Sequence, residues 1–299
     1  MSKDALNPFF GTGRFNNLHL FFESNEFITT DKYQQLCTDH FEELMYIKRD
    51  FVFRSGSFRD LDYKSVLADR NRYMGKTIVL GHSDIATSRG QALILKLLGV
   101  QAVFSTNAYS FRGFLYSLPL GLTNDSADSA LHGIFGNQTH LLRASEISEF
   151  PRYFQPEFFV NFTPENNKGV RKQLLNQVNR LPRQFRVIQE IPEFSDSARI
   201  QYLRNCRTSS FVLCPEGNGV DTHRLWETLY MGGIPIVKKN PMITPLVEGL
   251  PVVQVDSWHQ IENIEFLEKE WQRLELLQWD KNRLKISYWH NLILRSFGG

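Results

Sequence analysis

One stretch of the chain gathers residue types suited to work on an anion. It reads Phe211-Val212-Leu213-Cys214-Pro215-Glu216-Gly217-Asn218-Gly219-Val220-Asp221-Thr222-His223-Arg224-Leu225-Trp226-Glu227. The apolar run predicts a buried strand that enters a turn with two glycines, then a helix whose first turns hold Asp221, His223, Arg224 and Glu227. In a parallel sheet, ligands bind beyond the carboxyl ends of the strands, where loops meet helix N-termini. Backbone N–H groups at a helix start favour an anion. Gly217 and Gly219 let the backbone come close to it, and Arg224 offers a charged fork to a phosphate. Glu227, one turn further on, offers acceptors to ribose hydroxyls. The same residues also admit a purely structural role, with Asp221 as an N-cap, Arg224 and Glu227 as an i,i+3 surface pair and the glycines as a tight turn. The spacing matches neither the dinucleotide fingerprint nor the phosphate loop, because no Lys-Ser/Thr closes it.

The elements that must position this stretch alternate along the chain. Leu18–Phe22 reads as a buried strand and Asp31–Met45 as a helix with an acidic solvent side. Thr77–Leu80 is a β-branched strand ending at Gly81. A helix from about Ser88 to Leu98 follows, with apolar Leu93, Ile94, Leu97 and Leu98 and a stop at Gly99, and then a strand at Val100–Phe104. Strand, helix and strand in about 30 residues mark a parallel βαβ unit. Small polar residues from Thr123 to Asp128, then Pro151 and Pro156, place a boundary near residue 155. The domains expected are 1–155 and 156–299.

The second half alternates more regularly. Strands are expected at 158–162, 185–191, 211–214, 234–237 and 252–255, and helices at 168–179, 197–206 and 222–231. A later helix carries Ile264, Leu267, Trp271 and Leu274 on one face. Such alternation predicts a doubly wound parallel sheet. Ile286, Trp289, Ile293 and Phe297 form one stripe, so the final helix should dock on the body.

Composition narrows the classes. Among 299 residues, 34 Lys and Arg stand against 32 Asp and Glu, a formal charge of +2, which disfavours a bulk nucleic-acid binder. At 42% hydrophobic, with 24 Phe, 10 Tyr and 5 Trp, the chain has ample material for a core. The start, MSKDALNPFF, lacks a signal peptide's apolar core. The most apolar stretch, Ala92 to Phe104, is broken by Lys96, Gly99 and Gln101, so no membrane span is expected. Cys37, Cys206 and Cys214 form neither a metal spacing nor a disulfide framework, which points to a reducing compartment.

Residues 211–237, continuing through Thr228-Leu229-Tyr230-Met231-Gly232-Gly233-Ile234-Pro235-Ile236-Val237, resemble the donor-binding motif of exostosin-like glycosyltransferases, family 47 and its relatives. Val160-Asn161-Phe162 with Asn166 and Arg171 resembles the opening of the same donor domain, and Leu118-Pro119-Leu120-Gly121-Leu122 a segment before it. The strong match covers about a tenth of the chain and the weaker ones about half.

The resemblance implies the GT-B architecture, two Rossmann-like domains facing a cleft, the C-terminal one holding a nucleotide sugar. Carried over, Arg224 would neutralise the diphosphate, Arg171 would be a second phosphate ligand and Glu227 would hold the ribose. Glu216, Gly217, Asn218 and Gly219 would sit by the donor sugar or phosphates, with Asp221, Thr222 and His223 completing the donor set. An inverting transfer to a glycan hydroxyl needs a base from the N-terminal domain. Asp84, after Gly81-His82-Ser83 at a strand end, is the candidate, with Glu23 in reserve; the alternative role for Asp84 is a hydrogen bond to its own turn. UDP is the nucleotide implied. A fucosyltransferase-like enzyme using GDP and a nucleotide or carbohydrate binder without catalysis are the alternatives.

Other motifs are weaker. Asp60-Leu61-Asp62 spells the metal-binding Asp-x-Asp of the GT-A architecture but lacks a preceding buried strand, so no essential metal and no cofactor beyond the donor is expected. The eight histidines show no His-x-x-x-His or mixed Cys/His cluster, which leaves catalytic zinc without support. No Gly-x-Ser-x-Gly elbow is present, since Arg54-Ser55-Gly56-Ser57 has the wrong spacing. Phe104, Tyr109, Phe111 and Tyr116 either line an oligosaccharide or glycoconjugate acceptor groove or pack the core. Family members in animals and plants are usually anchored in secretory membranes. With no anchor, three unpaired cysteines and a lone Asn137-Gln138-Thr139 sequon taken as chance, a cytoplasmic enzyme of bacterial or viral type is expected, with neither nucleic acid nor an integral membrane segment.

Overall fold

The computed structural model describes residues 14–15, 24–48, 53–54, 57–58, 70–81, 84–110, 113–123, 138–146, 152–193 and 195–297. Leu18–Phe22, Glu23, Asp60, Asp62, His82, Phe111 and Asn137 lie outside them. Two parallel sheets organise the chain in a Rossmann-like α/β fold. The first joins β1 (Leu44–Lys48), β2 (Thr77–Gly81), β3 (Ala102–Thr106) and β4 (Leu115–Leu118) in that order. Its register sets Tyr46 beside Val79, Val79 beside Phe104, and Phe104 beside Tyr116. β2 and β3 are buried along their whole length, as helices on both faces of a parallel sheet require.

The second sheet is built from β5 (Glu157–Val160), β6 (Arg186–Gln189), β7 (Phe211–Leu213), β8 (Pro235–Lys238) and β9 (Val253–Val255), in the spatial order β6-β5-β7-β8-β9. β7 is the central strand and β6 an edge. Phe158 pairs with Phe211 and Phe159 with Val212, and all four side chains are fully buried. The chain therefore reverses direction across the sheet between β5 and β7, which makes their carboxyl ends the place where loops diverge and a ligand can enter.

Helices cover these sheets: α1 (Thr30–Asp39), α2 (Arg89–Leu97), α3 (Gln138–Ser145), α4 (Lys168–Val178), α5 (Asp196–Thr208), α6 (His223–Tyr230), α7 (Ile264–Leu276) and α8 (Ile286–Leu294). Two expectations need correction. The helix expected to reach Met45 stops at Asp39, and after the polar turn His40-Phe41-Glu42-Glu43 the apolar run Leu44–Ile47 becomes β1, where it gains sheet pairing with β2. Ser88 caps α2 in a capping box with Gln91, as the start signal implies. The buried face, however, is Ala92, Leu95 and Leu98, while Leu93, Ile94 and Leu97 are exposed. With six apolar residues between positions 92 and 98, the sequence offers two competing stripes, and the sheet takes the one bearing the small Ala92.

The final helix docks as expected, on the first sheet's layer. Thr77 Oγ1 and Ser296 Oγ lie 3.0 Å apart, the Tyr33 and His290 rings meet edge-on, and the Ser287 N–H donates to Glu26. Conversely, α3 packs along α5, with His140 Nε2 3.2 Å from Asp196. Each sheet thus carries a helix drawn from the other side of residue 155.

Candidate functional site

A cleft of about 300 Å³ opens at the carboxyl ends of β5 and β7, and residues from both halves of the chain line it. β7 delivers the chain into the loop Cys214–Asp221, and Thr222 starts α6 with an extended backbone and no side-chain cap bond. The first-turn N–H groups of α6 are therefore not consumed by the cap side chain. The loop folds on itself through the Gly217 N–H bonded to the Gly219 carbonyl at 2.9 Å, and Asn167 holds the Gly217 carbonyl from the start of α4.

Two arginines meet in this cleft. Arg171 from α4 and Arg224 from α6 place their guanidinium centres 5.8 and 5.9 Å from the ring centre of Phe162. Arg171 is only 6% exposed; its Nε donates to the Glu216 carbonyl at 2.9 Å and its Nη1 to that of Thr163 at 3.4 Å. Burial, with the Arg224 charge beside it, lowers the Arg171 pKa to about 10, so it stays protonated at neutral pH. Among the described residues, the buried Arg224 Nε has no hydrogen-bond partner. Among the described residues, no carboxylate lies within ion-pair distance of either arginine. Two like charges held together create a local positive potential that favours an anion.

Glu227 is placed differently. Its Oε1 accepts from Arg199 Nη2 at 2.7 Å and its Oε2 from the Tyr202 hydroxyl at 2.8 Å. Both side chains of the Arg199–Glu227 pair are 3% exposed. Glu227 is thus neither an exposed surface partner of Arg224 nor an idle acceptor. It borders the cleft with one lone pair on each oxygen already engaged, and a ligand hydroxyl would use another.

Asp221 is buried at 2% exposure and faces inward. Its carboxylate accepts from the Leu120 N–H at 2.7 Å and from Trp226 Nε1 at 2.9 Å, so it fastens the loop to the first half rather than capping α6. Burial raises its pKa to about 7, against the pull of these N–H donors. His223 Nδ1 lies 2.7 Å from the Gly121 carbonyl. A carbonyl can only accept, so the proton resides on Nδ1. Glu216 turns away from the cleft toward Asn240. Asn218 is exposed at the rim.

Asp84, from the first half of the chain, also lines the cleft. Its Oδ1 and Cα are each 3.2 Å from where a Cβ on Gly219 would stand, so the glycine permits the loop to approach it closely. Gly217 serves the same end: a Cβ there would be 2.9 Å from Arg171 Nη2. The structure therefore brings Asp84, Arg171, Gly217, Asn218, Gly219, Asp221, Thr222, His223, Arg224 and Glu227 to one cleft, with Glu216 just outside. Arg199, Tyr202, Thr163 and Pro192 join them unannounced by the sequence. Phe104 is buried and stacks on Tyr116 at 4.7 Å, which is core packing, whereas Tyr109 is partly exposed.

Among the described residues, no group of three His, Cys, Asp or Glu is placed to hold a metal ion. Nor is any helix among them long and apolar enough to cross a membrane. Fold and cleft define a Rossmann-like α/β protein with a cation-lined cleft at the carboxyl ends of its second sheet. No protein-family model matches the chain, and no curated protein matches it significantly.

Proposed function

We propose that the protein is an inverting glycosyltransferase of GT-B architecture that moves a sugar from a nucleoside diphosphate, with UDP favoured, to a glycan hydroxyl. The observation that carries this reading is the pair Arg171 and Arg224 beside the start of α6, without a carboxylate in ion-pair distance among the described residues, in a cleft that Asp84 also lines. A diphosphate supplies the two negative charges that pair lacks. During transfer the acceptor oxygen attacks the anomeric carbon, and the bond from that carbon to the diphosphate oxygen breaks with its electrons passing to the diphosphate. Arg171, Arg224 and the helix start stabilise that growing charge, a task that a divalent cation performs in the GT-A architecture. Asp84 takes the hydroxyl proton. Glu227, held by Arg199 and Tyr202, offers its remaining lone pairs to the ribose.

The resemblance of residues 211–237 to the exostosin-like donor motif supports the same reading. Cys37, Cys206 and Cys214 are all buried and unpaired, which suits a cytoplasmic enzyme. Incubation with a panel of UDP- and GDP-sugars and a mixture of oligosaccharide acceptors tests the proposal through release of nucleoside diphosphate. Release by the wild type that falls at least a hundredfold in Asp84→Asn, with donor affinity kept, is expected. Tight nucleotide binding without turnover on any acceptor would instead favour a binding protein. Preference for GDP over UDP would favour the fucosyltransferase-like alternative.

A further inference from the structure

Asn107 does not line the cleft, yet it is built into the loop that does. It follows β3 directly, is 1% exposed, and adopts a left-handed backbone with φ of 50°. Its main chain is fixed at the neighbouring turn: the Thr87 N–H donates to the Asn107 carbonyl at 2.8 Å, and the Tyr109 N–H to the Thr87 carbonyl at 3.1 Å. From this footing the side chain crosses to the second half of the chain. Its Oδ1 accepts the Asp221 N–H at 2.8 Å, and its Nδ2 lies 2.8 Å from where a Cβ on Gly219 would be. Asp84 closes the other side of the same glycine.

The residue type follows from these demands. Asparagine tolerates the left-handed region better than most residues with a side chain. It carries an acceptor for the Asp221 amide and a donor on the same planar group. Glutamine is one carbon longer and alanine has neither polar atom. The Gly217–Asp221 loop has little regular structure of its own. Its shape is set by Arg171 at one end and by Asn107 at the other, with Leu120 and Gly121 holding Asp221 and His223.

We infer that Asn107 is a positioning residue, a strut from the first sheet that holds the Gly217–Asp221 loop in the shape that receives the anion. The inference rests on the anion-binding reading of the Arg171–Arg224 pair. A loop ordered before binding loses less freedom when its ligand arrives, so removing the strut should weaken binding without touching the ligand.

Asn107→Gly is the test variant, because glycine keeps the left-handed backbone and deletes only the side chain. Calorimetric titration with pyrophosphate, UDP and GDP would be paired with hydrogen exchange at the Asp221 amide in the ligand-free protein. The expected result is binding weakened about tenfold for every anion the wild type takes up, together with faster Asp221 exchange and unchanged exchange in the core strands. Asn107→Asp, which keeps the acceptor and tolerates the backbone, should restore slow exchange at Asp221. Wild-type affinity in Asn107→Gly overturns the positioning role, as does weaker binding with Asp221 exchange unaltered. A wild type that binds none of the three anions overturns the anion-binding reading itself, and the positioning role with it.

Discussion

Asp221 gives the interior of the site a pH dependence that can be worked through. The carboxyl is buried between the two halves, and burial raises its pKa from 3.8 to about 7. The folded state therefore holds this proton more tightly than the unfolded state does. The stability it contributes is fully present below about pH 4 and is lost as the pH rises through 7. A shift from 3.8 to about 7 corresponds to roughly 4 kcal/mol in all, at no more than about 1.4 kcal/mol per pH unit. Asp221→Asn cannot ionise and lacks this slope. With its oxygen in the place of Asp221 Oδ2 it still accepts from the Leu120 N–H and from Trp226 Nε1 at 3.1 Å, while an amide NH2 replaces the Oδ1 that accepts from Trp226 at 2.9 Å, at a pH-independent cost of about 1–3 kcal/mol. Urea unfolding of wild type and variant from pH 4 to 8 isolates the effect, because other titrating groups cancel in the difference. Relative to wild type, the variant should gain stability steadily up to pH 7 and level off above it. A difference that is flat across this range would refute the placement of Asp221 in a desolvated seam and the ordering of burial above its N–H donors.

Two further outcomes follow from the same geometry. Glu227→Gln removes the ionised partner of Arg199 in a pair with both side chains 3% exposed, and should cost about 3–5 kcal/mol in denaturant unfolding. The double variant Arg199→Met/Glu227→Leu should recover much of that loss, whereas additive losses would contradict the pairing. Gly219→Ala would set a methyl 2.8 Å from Asn107 Nδ2 and 3.2 Å from the Asp84 backbone, so the loop must move. Thermal shift with UDP should disappear in that variant while the ligand-free melting temperature falls by only a few degrees, and an unchanged UDP shift would contradict the close approach.

The strand, loop and helix at 211–230 were legible because their signals are local: an apolar run, two glycines and a polar helix start lie next to one another in the chain. The partners of those residues were not. Glu227 read as a surface or ribose residue because nothing in sequence links it to Arg199 and Tyr202, which reach it only when α5 packs against α6. Asp221 looked like an N-cap because an acid before a helix is usually one, but Thr222 starts α6 and Asp221 turns to Leu120 and Trp226. Asn107 did carry a signal, an asparagine directly after a β-branched and small-residue strand, which marks a left-handed turn. Its role depends on a contact 114 residues away. On α2, apolar residues on both sides left the buried face undetermined by periodicity, and only the sheet decided it.

Calorimetric titration of UDP into wild type and Arg224→Ala, at low and high salt, tests the central claim most directly. Among the described residues, Arg224 has no carboxylate within ion-pair distance and its buried Nε has no partner, and a charge-assisted bond to phosphate contributes about 1.5–3 kcal/mol. Wild type should therefore bind UDP, more weakly as salt rises, and Arg224→Ala about 10- to 100-fold more weakly with its melting temperature little changed. Equal UDP affinity in the two proteins, or no binding by the wild type at low salt, would contradict the account.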